Sequence, residues 1–184
     1  LFRSGLLRQN CCTVMVDGAT ENTGKIYVVE NGVVTIPIEY YSPVLALKLN
    51  PQTTNVLSII KQIDVLNTGG YAATFGLFIN PTITGGSLLF SPVATNISML
   101  SATGNASLTV TEGVSGYKIM GGYLPSGNGT NTTSLQQNTV ANEARFGSGI
   151  KGDTDVIVLA ARSLGPNTGN TTTVYGTLGV LEKS

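Results

Sequence analysis

Two carboxylates, Asp153 and Asp155 in the run Lys151-Gly152-Asp153-Thr154-Asp155, are the pair in this chain best spaced to act together. On extended backbone, residues i and i+2 point to one side, so the two could share a Ca²⁺ with Asn or backbone oxygens. No EF-hand loop surrounds them, and the simpler reading is two polar residues at the entrance to a strand. The expectation is therefore no metal and no other cofactor, with Asp153 and Asp155 as the weak candidates. Histidine is absent altogether. That removes the side chain that titrates near neutral pH, and with it Ser-His triads and zinc sites built on histidine. No residue stands out as catalytic, and the chain is not expected to be an enzyme.

The other chemistry-bearing residues have plain structural readings. Cys11 and Cys12 are neighbours. A trans peptide holds their Cα atoms about 3.8 Å apart, short of the roughly 4.4–6.8 Å that a disulfide prefers, so they read as two reduced thiols, with an inter-subunit bridge left open. The glycines around Gly113 and Gly116 lack the strand, helix and lysine of a phosphate cradle and read as turns. Asn96, Asn105, Asn128, Asn131 and Asn170 each begin an N-x-Ser/Thr triplet, which chance explains in a chain so rich in Asn and Thr. Tyr27, Tyr40, Tyr41, Tyr71, Tyr117, Tyr123 and Tyr175 could stack on sugar rings if they share a face; strand tyrosines more often fill half-buried interfaces.

Composition narrows the function classes. Charged residues make up 11% of the 184 residues and hydrophobic ones 41%, so Thr, Ser, Asn and Gly must cover most of the surface. Such a surface costs little to desolvate and suits a protein packed against copies of itself or a partner. Five cations and five anions lie on each side of Pro92. Without clustered cations, nucleic-acid binding and an anionic membrane surface are both disfavoured, and no apolar run nears the roughly 20 residues that a spanning helix needs. No signal-peptide pattern precedes the domain. The chain begins at Leu1 rather than Met, as after removal of an initiating segment or truncation.

The elements that must position these residues are strands. Residues 155–162 (DVIVLAAR) are apolar on both faces, as in a strand sandwiched between two layers. Pro166, Asn167, Gly169 and Asn170 then supply a turn, and residues 173–182 return as a second strand, so the C-terminus reads as a long hairpin with a polar tip at 167–172. Residues 25–30 and 33–40 flank Asn31-Gly32 and read as another hairpin, with Pro37 on an edge strand. Leu45, Leu47 and Leu49 alternate with Ala46 and Lys48. Leu57, Ile59, Ile63 and Val65 alternate with polar residues, interrupted on the apolar side by Lys61. Ala73, Phe75, Leu77 and Ile79 line the next strand, which Asn80-Pro81 stops. Short strands follow at 87–90, 95–100, 107–110 and 117–123, then a polar insertion at 124–138 and a helical turn over 138–146. Turns about every 8–12 residues give the rhythm of an all-β sandwich. Residues 1–24 are irregular and read as an N-terminal arm, leaving 25–184 as one domain.

In this order the chain resembles a family of tailed-bacteriophage virion proteins. The segments that carry the resemblance are "YSPVLALKL", "IDVLNTGGYAATFGLFINPTITG", "GYKIMGGYLPSG", "GDTDVIVLAA" and "GTLGVLE", between Tyr41 and Glu182. An N-P-T after a long strand, a G-G-x-x-x-S/G segment and a closing W-x-E strand recur there; Leu181 stands where Trp is frequent. The resemblance implies an all-β, jelly-roll-like antiparallel β-sandwich in the virion, commonly homotrimeric, and carries no catalytic residue. The expected function is capsid decoration and cementing, with other copies and the major capsid protein as partners and neither nucleic acid nor membrane bound. A tail, baseplate or fibre component is the alternative within that class, and a carbohydrate-binding adhesin domain the alternative outside it.

Overall fold

The computed structural model describes residues 24–30, 33–52, 56–93, 98–113, 116–127, 132–134, 145–147, 153–167 and 169–183. Among these residues every regular element is a strand. The first sheet is built on β4 (Leu57–Asn67) and β14 (Thr172–Lys183), antiparallel from Leu57 opposite Lys183 to Asn67 opposite Val174. β1 (Lys25–Glu30) and β2 (Val34–Ile36) follow one another along the other side of β14. β11 (Thr132–Ser134) and β12 (Arg145–Gly147) do the same along β4. The second sheet runs β10 (Tyr117–Leu124), β5 (Ala73–Ile79), β13 (Val156–Ser163), β3 (Ser42–Leu49), β8 (Met99–Thr103), β7 (Ser91–Pro92).

Count β1 with β2 and β11 with β12 as single strands and set aside the segment between β5 and β10, and eight strands remain. In chain order they lie first-eighth-third-sixth in one sheet and fifth-fourth-seventh-second in the other. Every connection but the fourth-to-fifth switches sheet, which is the jelly roll. The core lies between the inner faces, where Leu45, Leu47, Phe75, Leu77, Ile157 and Leu159 of the second sheet meet Ile60, Ile63, Val65, Val174, Leu178 and Val180 of the first. Fully burying each such side chain contributes about 1.5–3 kcal/mol.

This topology corrects both expected hairpins. β13 pairs with β3 and β5, and β14 with β1, β2 and β4, so the two C-terminal strands sit in opposite sheets and residues 164–171 arch between layers. The turn chemistry was right; each strand found better cover in non-local partners. Likewise β1 and β2 do not pair with each other. Glu30 faces Thr177 and Val34 faces Val174, four steps on one strand against three on the other, so they are one interrupted edge strand with an extra residue. Pro37 follows β2, and its carbonyl accepts the Ser163 N–H at 2.8 Å where the chain crosses between sheets.

A second bulge corrects the faces of β4. Gly179 faces Gln62 and Val180 faces Ile60, which leaves Lys61 as the extra residue. The exposed Lys61 flips the alternation, so Val56 and Ile60 join Ile63 and Val65 in the core while Leu57 does not. Among the other expectations, residues 87–90 form no strand, and Thr132–Ser134 within the expected polar insertion is β11. Arg145 and Phe146, at the end of the expected helical turn, belong to β12; the rest of that turn, and residues 1–23 of the arm, lie outside the described residues.

The segment between β5 and β10 forms a second layer. β6 (Thr82–Thr84) pairs with β9 (Thr109–Thr111), and β8 crosses to extend the far edge of the second sheet beside β3. Their side chains cover the sheet's outer face: Ala46, Phe78, Val158 and Ala160 pack with Ala102 and Val110, flanked by Ile83, Leu88 and Phe90. Lys48, on that face, lies with Nζ 4.3 Å from the Phe90 ring centroid. The doubly apolar run at 155–162 therefore reflects real burial on both sides, between the main core and this added layer.

Candidate functional site

Asp155 lies one residue before β13 with both carboxylate oxygens engaged. Oδ1 accepts from Asn80 Nδ2 at 2.8 Å, and Oδ2 accepts the Gly147 N–H at 3.2 Å. Asn80 completes a clamp: its Oδ1 accepts the Val156 N–H at 2.8 Å and its own N–H donates to the Val156 carbonyl at 2.8 Å. Asn80 holds φ at +46°, a left-handed conformation that Asn adopts more readily than most residues. Asp155 thus joins the end of β5, the start of β13 and β12. Asp153 is exposed, and among the described residues the two carboxylates share no hydrogen-bond partner. Among the described residues no three His, Cys, Asp or Glu side chains gather as a cation site would require.

The structure disperses the remaining candidates. Tyr27 packs against the main core, Tyr175 sits half-exposed on β14, and Tyr117 and Tyr123 stand exposed on β10. Asn105 accepts from the Ser107 N–H at 3.0 Å and its hydroxyl at 2.6 Å, a local turn. At the C-terminal tip Pro166, Asn167 and Gly169 are exposed, whereas Thr172 is buried and donates to Asn67 Oδ1 at 2.8 Å. Cys11, Cys12, Asn96, Asn128 and Asn131 lie outside the described residues.

Sequence reasoning missed two features. One is the edge of the first sheet. On β1, Ile26 is 73% exposed and Val28 60%, and among the described residues β1 has no strand on its other side. Beside β2 an open cleft of about 350 Å³ is lined by Val33, Thr35, Leu89, Thr103, Asn105 and Leu108, with Leu89 87% exposed.

The other is a cationic cluster on the outer face of the second sheet. Lys118 Nζ donates to Tyr41 Oη at 3.1 Å and lies 5.0 Å from that ring's centroid; the Arg162 guanidinium lies 5.5 Å from the same centroid. Tyr41 Oη meets Thr74 Oγ1 at 3.4 Å, and Thr74 donates onward to the Gly122 carbonyl at 3.0 Å. Phe78 meets the Tyr41 ring edge-on at 5.5 Å. Burial alone would push the Tyr41 phenol up, but its hydrogen bonds with Thr74 and Lys118 and the charges of Lys118 and Arg162 outweigh that. The phenol titrates below its ordinary 10.0.

No family model matches the chain, and no curated protein matches it. Among solved structures it is similar to the crystal structure of a 60-mer BFDV capsid protein, at 13% identity and a TM-score of 0.24, over 86% of this chain and 94% of that one. With so loose a superposition, the jelly-roll assignment rests on the strand order and pairing alone.

Proposed function

We propose that this chain is a structural virion protein, of the tailed-bacteriophage kind it resembles in sequence, that decorates and cements a capsid. The jelly roll is the body, and residues 1–24 are the arm that docks on the major capsid protein. Three copies assemble around each site, and the protein resides in the virion. The observation that carries this reading is the edge of the first sheet, where among the described residues no strand pairs with β1 on its far side. Proteins that stay monomeric blunt such edges with charge, proline or a covering loop, because unpaired N–H and C=O groups template pairing with another chain. Here β1 instead presents Ile26 and Val28, with the cleft beside β2 continuing the surface. A neighbouring copy covers that edge in the assembly. The sparsely charged surface lowers the desolvation cost of each contact, and symmetry repeats it.

An arm that orders only on binding can wrap a neighbour's surface. The test is particle loading. Protein lacking residues 1–23, which keeps Gly24 beside β14, is added to particles stripped of the wild-type protein. Folded but non-binding truncated protein supports the docking arm; loading at wild-type occupancy overturns it.

A further inference from the structure

We propose that Lys118 and Arg162, held around Tyr41 and Thr74, form a binding site for a small phosphate-type oxyanion. Among the described residues Arg162 has no hydrogen-bond or ion-pair partner for its guanidinium, and its Nε is fully buried without an acceptor. A buried donor on a permanently charged group is costly to leave unmade. The Tyr41 ring, 5.5 Å from the guanidinium carbon, offers it no hydrogen-bond acceptor, and its fork of N–H donors suits a planar or tetrahedral oxyanion. Lys118, the second cation on the same ring, has the Tyr41 hydroxyl as its hydrogen-bond partner and no carboxylate.

Strand register sets the rows around the cluster. On the outer face, Tyr123, Thr74 and Arg162 form one cross-strand row. In the next row Gly121, Gly76 and Ala160 carry nothing larger than a methyl group. Lys118 belongs to the row beyond, opposite Phe78, and its stem lies back across this trough toward Tyr41. A Cβ at Gly76 would come within 2.6 Å of Lys118 Cε, and one at Gly121 within 2.7 Å of Nζ. A side chain at either glycine would push the lysine off this path. The result is two positive charges beside one ring with no acid among the described residues acting on it, and Tyr123, 77% exposed, lies in the same row as Arg162. An uncompensated charge of two favours a dianion over a monoanion, which selects phosphate or sulfate over a carboxylate.

Inorganic phosphate is titrated into the full chain at constant ionic strength, with acetate as the comparison anion. Two responses are read: the melting temperature, and the phenolate absorbance of Tyr41, taken as wild type minus Tyr41→Phe. The charged groups acting on that phenol are Lys118 from β10 and Arg162 from β13. Phosphate is expected to raise the melting temperature and move the Tyr41 titration back up, because the dianion neutralises both cations. Arg162→Gln and Lys118→Gln are each expected to need at least about tenfold more phosphate for the same response, as when one charge-assisted contact is lost. The wild-type titration decides the proposal even if a variant fails to fold. No phosphate response in the wild type, an unchanged response in Arg162→Gln, or acetate acting as strongly as phosphate would each overturn it.

Discussion

The side chain of Asn80 donates from Nδ2 to Asp155 Oδ1 at 2.8 Å, and this bond closes the junction of β5, β12 and β13. Asp155 is therefore an acceptor for two protein donors. Removing it leaves the Asn80 amide and the Gly147 N–H without their partner, so Asp155→Ala should cost about 1.5–3 kcal/mol, the range for hydrogen bonds to a charged group. Asp155→Asn should cost less. Denaturant midpoints at unchanged slope measure both. With both Asp155 oxygens already accepting protein donors, adding Ca²⁺ or a chelator should leave the midpoint where it is. A Ca²⁺-dependent rise that disappears in Asp153→Asn would restore the pair as a metal site.

Layering was legible in the sequence because it is written locally. Residues 155–162 are apolar on both faces, and the structure buries Ile157 and Leu159 in one core and Val158 and Ala160 in another. Pairing was not legible. A jelly roll sends nearly every consecutive strand to the other sheet, so a turn such as the one at Asn167 looks the same whether it closes a hairpin or an arch. The cationic cluster was hidden for a similar reason: Tyr41, Lys118 and Arg162 come from three distant segments. The one local hint was a lysine followed by Gly121-Gly122 inside an otherwise apolar strand.

The Lys61 bulge reverses which side chains of β4 hold up the core. Simple alternation across the strand puts Leu57 inside; the observed register puts Ile60 there and leaves Leu57 half-exposed. Ile60→Ala should cost about 2–5 kcal/mol, the range for a buried large-to-small change. Leu57→Ala should cost less than half as much. Urea unfolding of the two variants distinguishes the registers, and equal losses would mean that the bulge does not persist in solution.

Tyr41 predicts an alkaline signature. Its folded pKa lies below the ordinary 10.0, so the phenolate is favoured by the folded state. The sign follows from proton binding: between the folded and unfolded values the unfolded chain holds more protons, and stability rises with pH. This contribution is absent at neutral pH, grows as pH climbs through the folded value, and is complete only above the unfolded value. Wild type minus Tyr41→Phe stability, measured from neutral pH to about 10, should therefore increase with pH. A flat difference would mean that Lys118 and Arg162 do not act on the ring as the geometry implies.

The bare edge of β1 makes the last prediction, and it concerns association rather than folding. Ile26 and Val28 point to the outer face and stand exposed beside Leu181 and Gly179 of β14. Replacing them removes little that the isolated fold has buried. Ile26→Lys with Val28→Lys should change unfolding free energy by no more than about 0.5 kcal/mol, the usual range for surface substitutions. Lysine is nevertheless a side chain that blocks edge-to-edge pairing. Sedimentation velocity should show the wild type self-associating with concentration and the double variant shifted toward monomer. A wild type that stays monomeric at high concentration would move the contact from a second copy to a different chain. Equal association of both proteins would remove β1 from the interface altogether, leaving the cleft beside β2 as the surface to vary next.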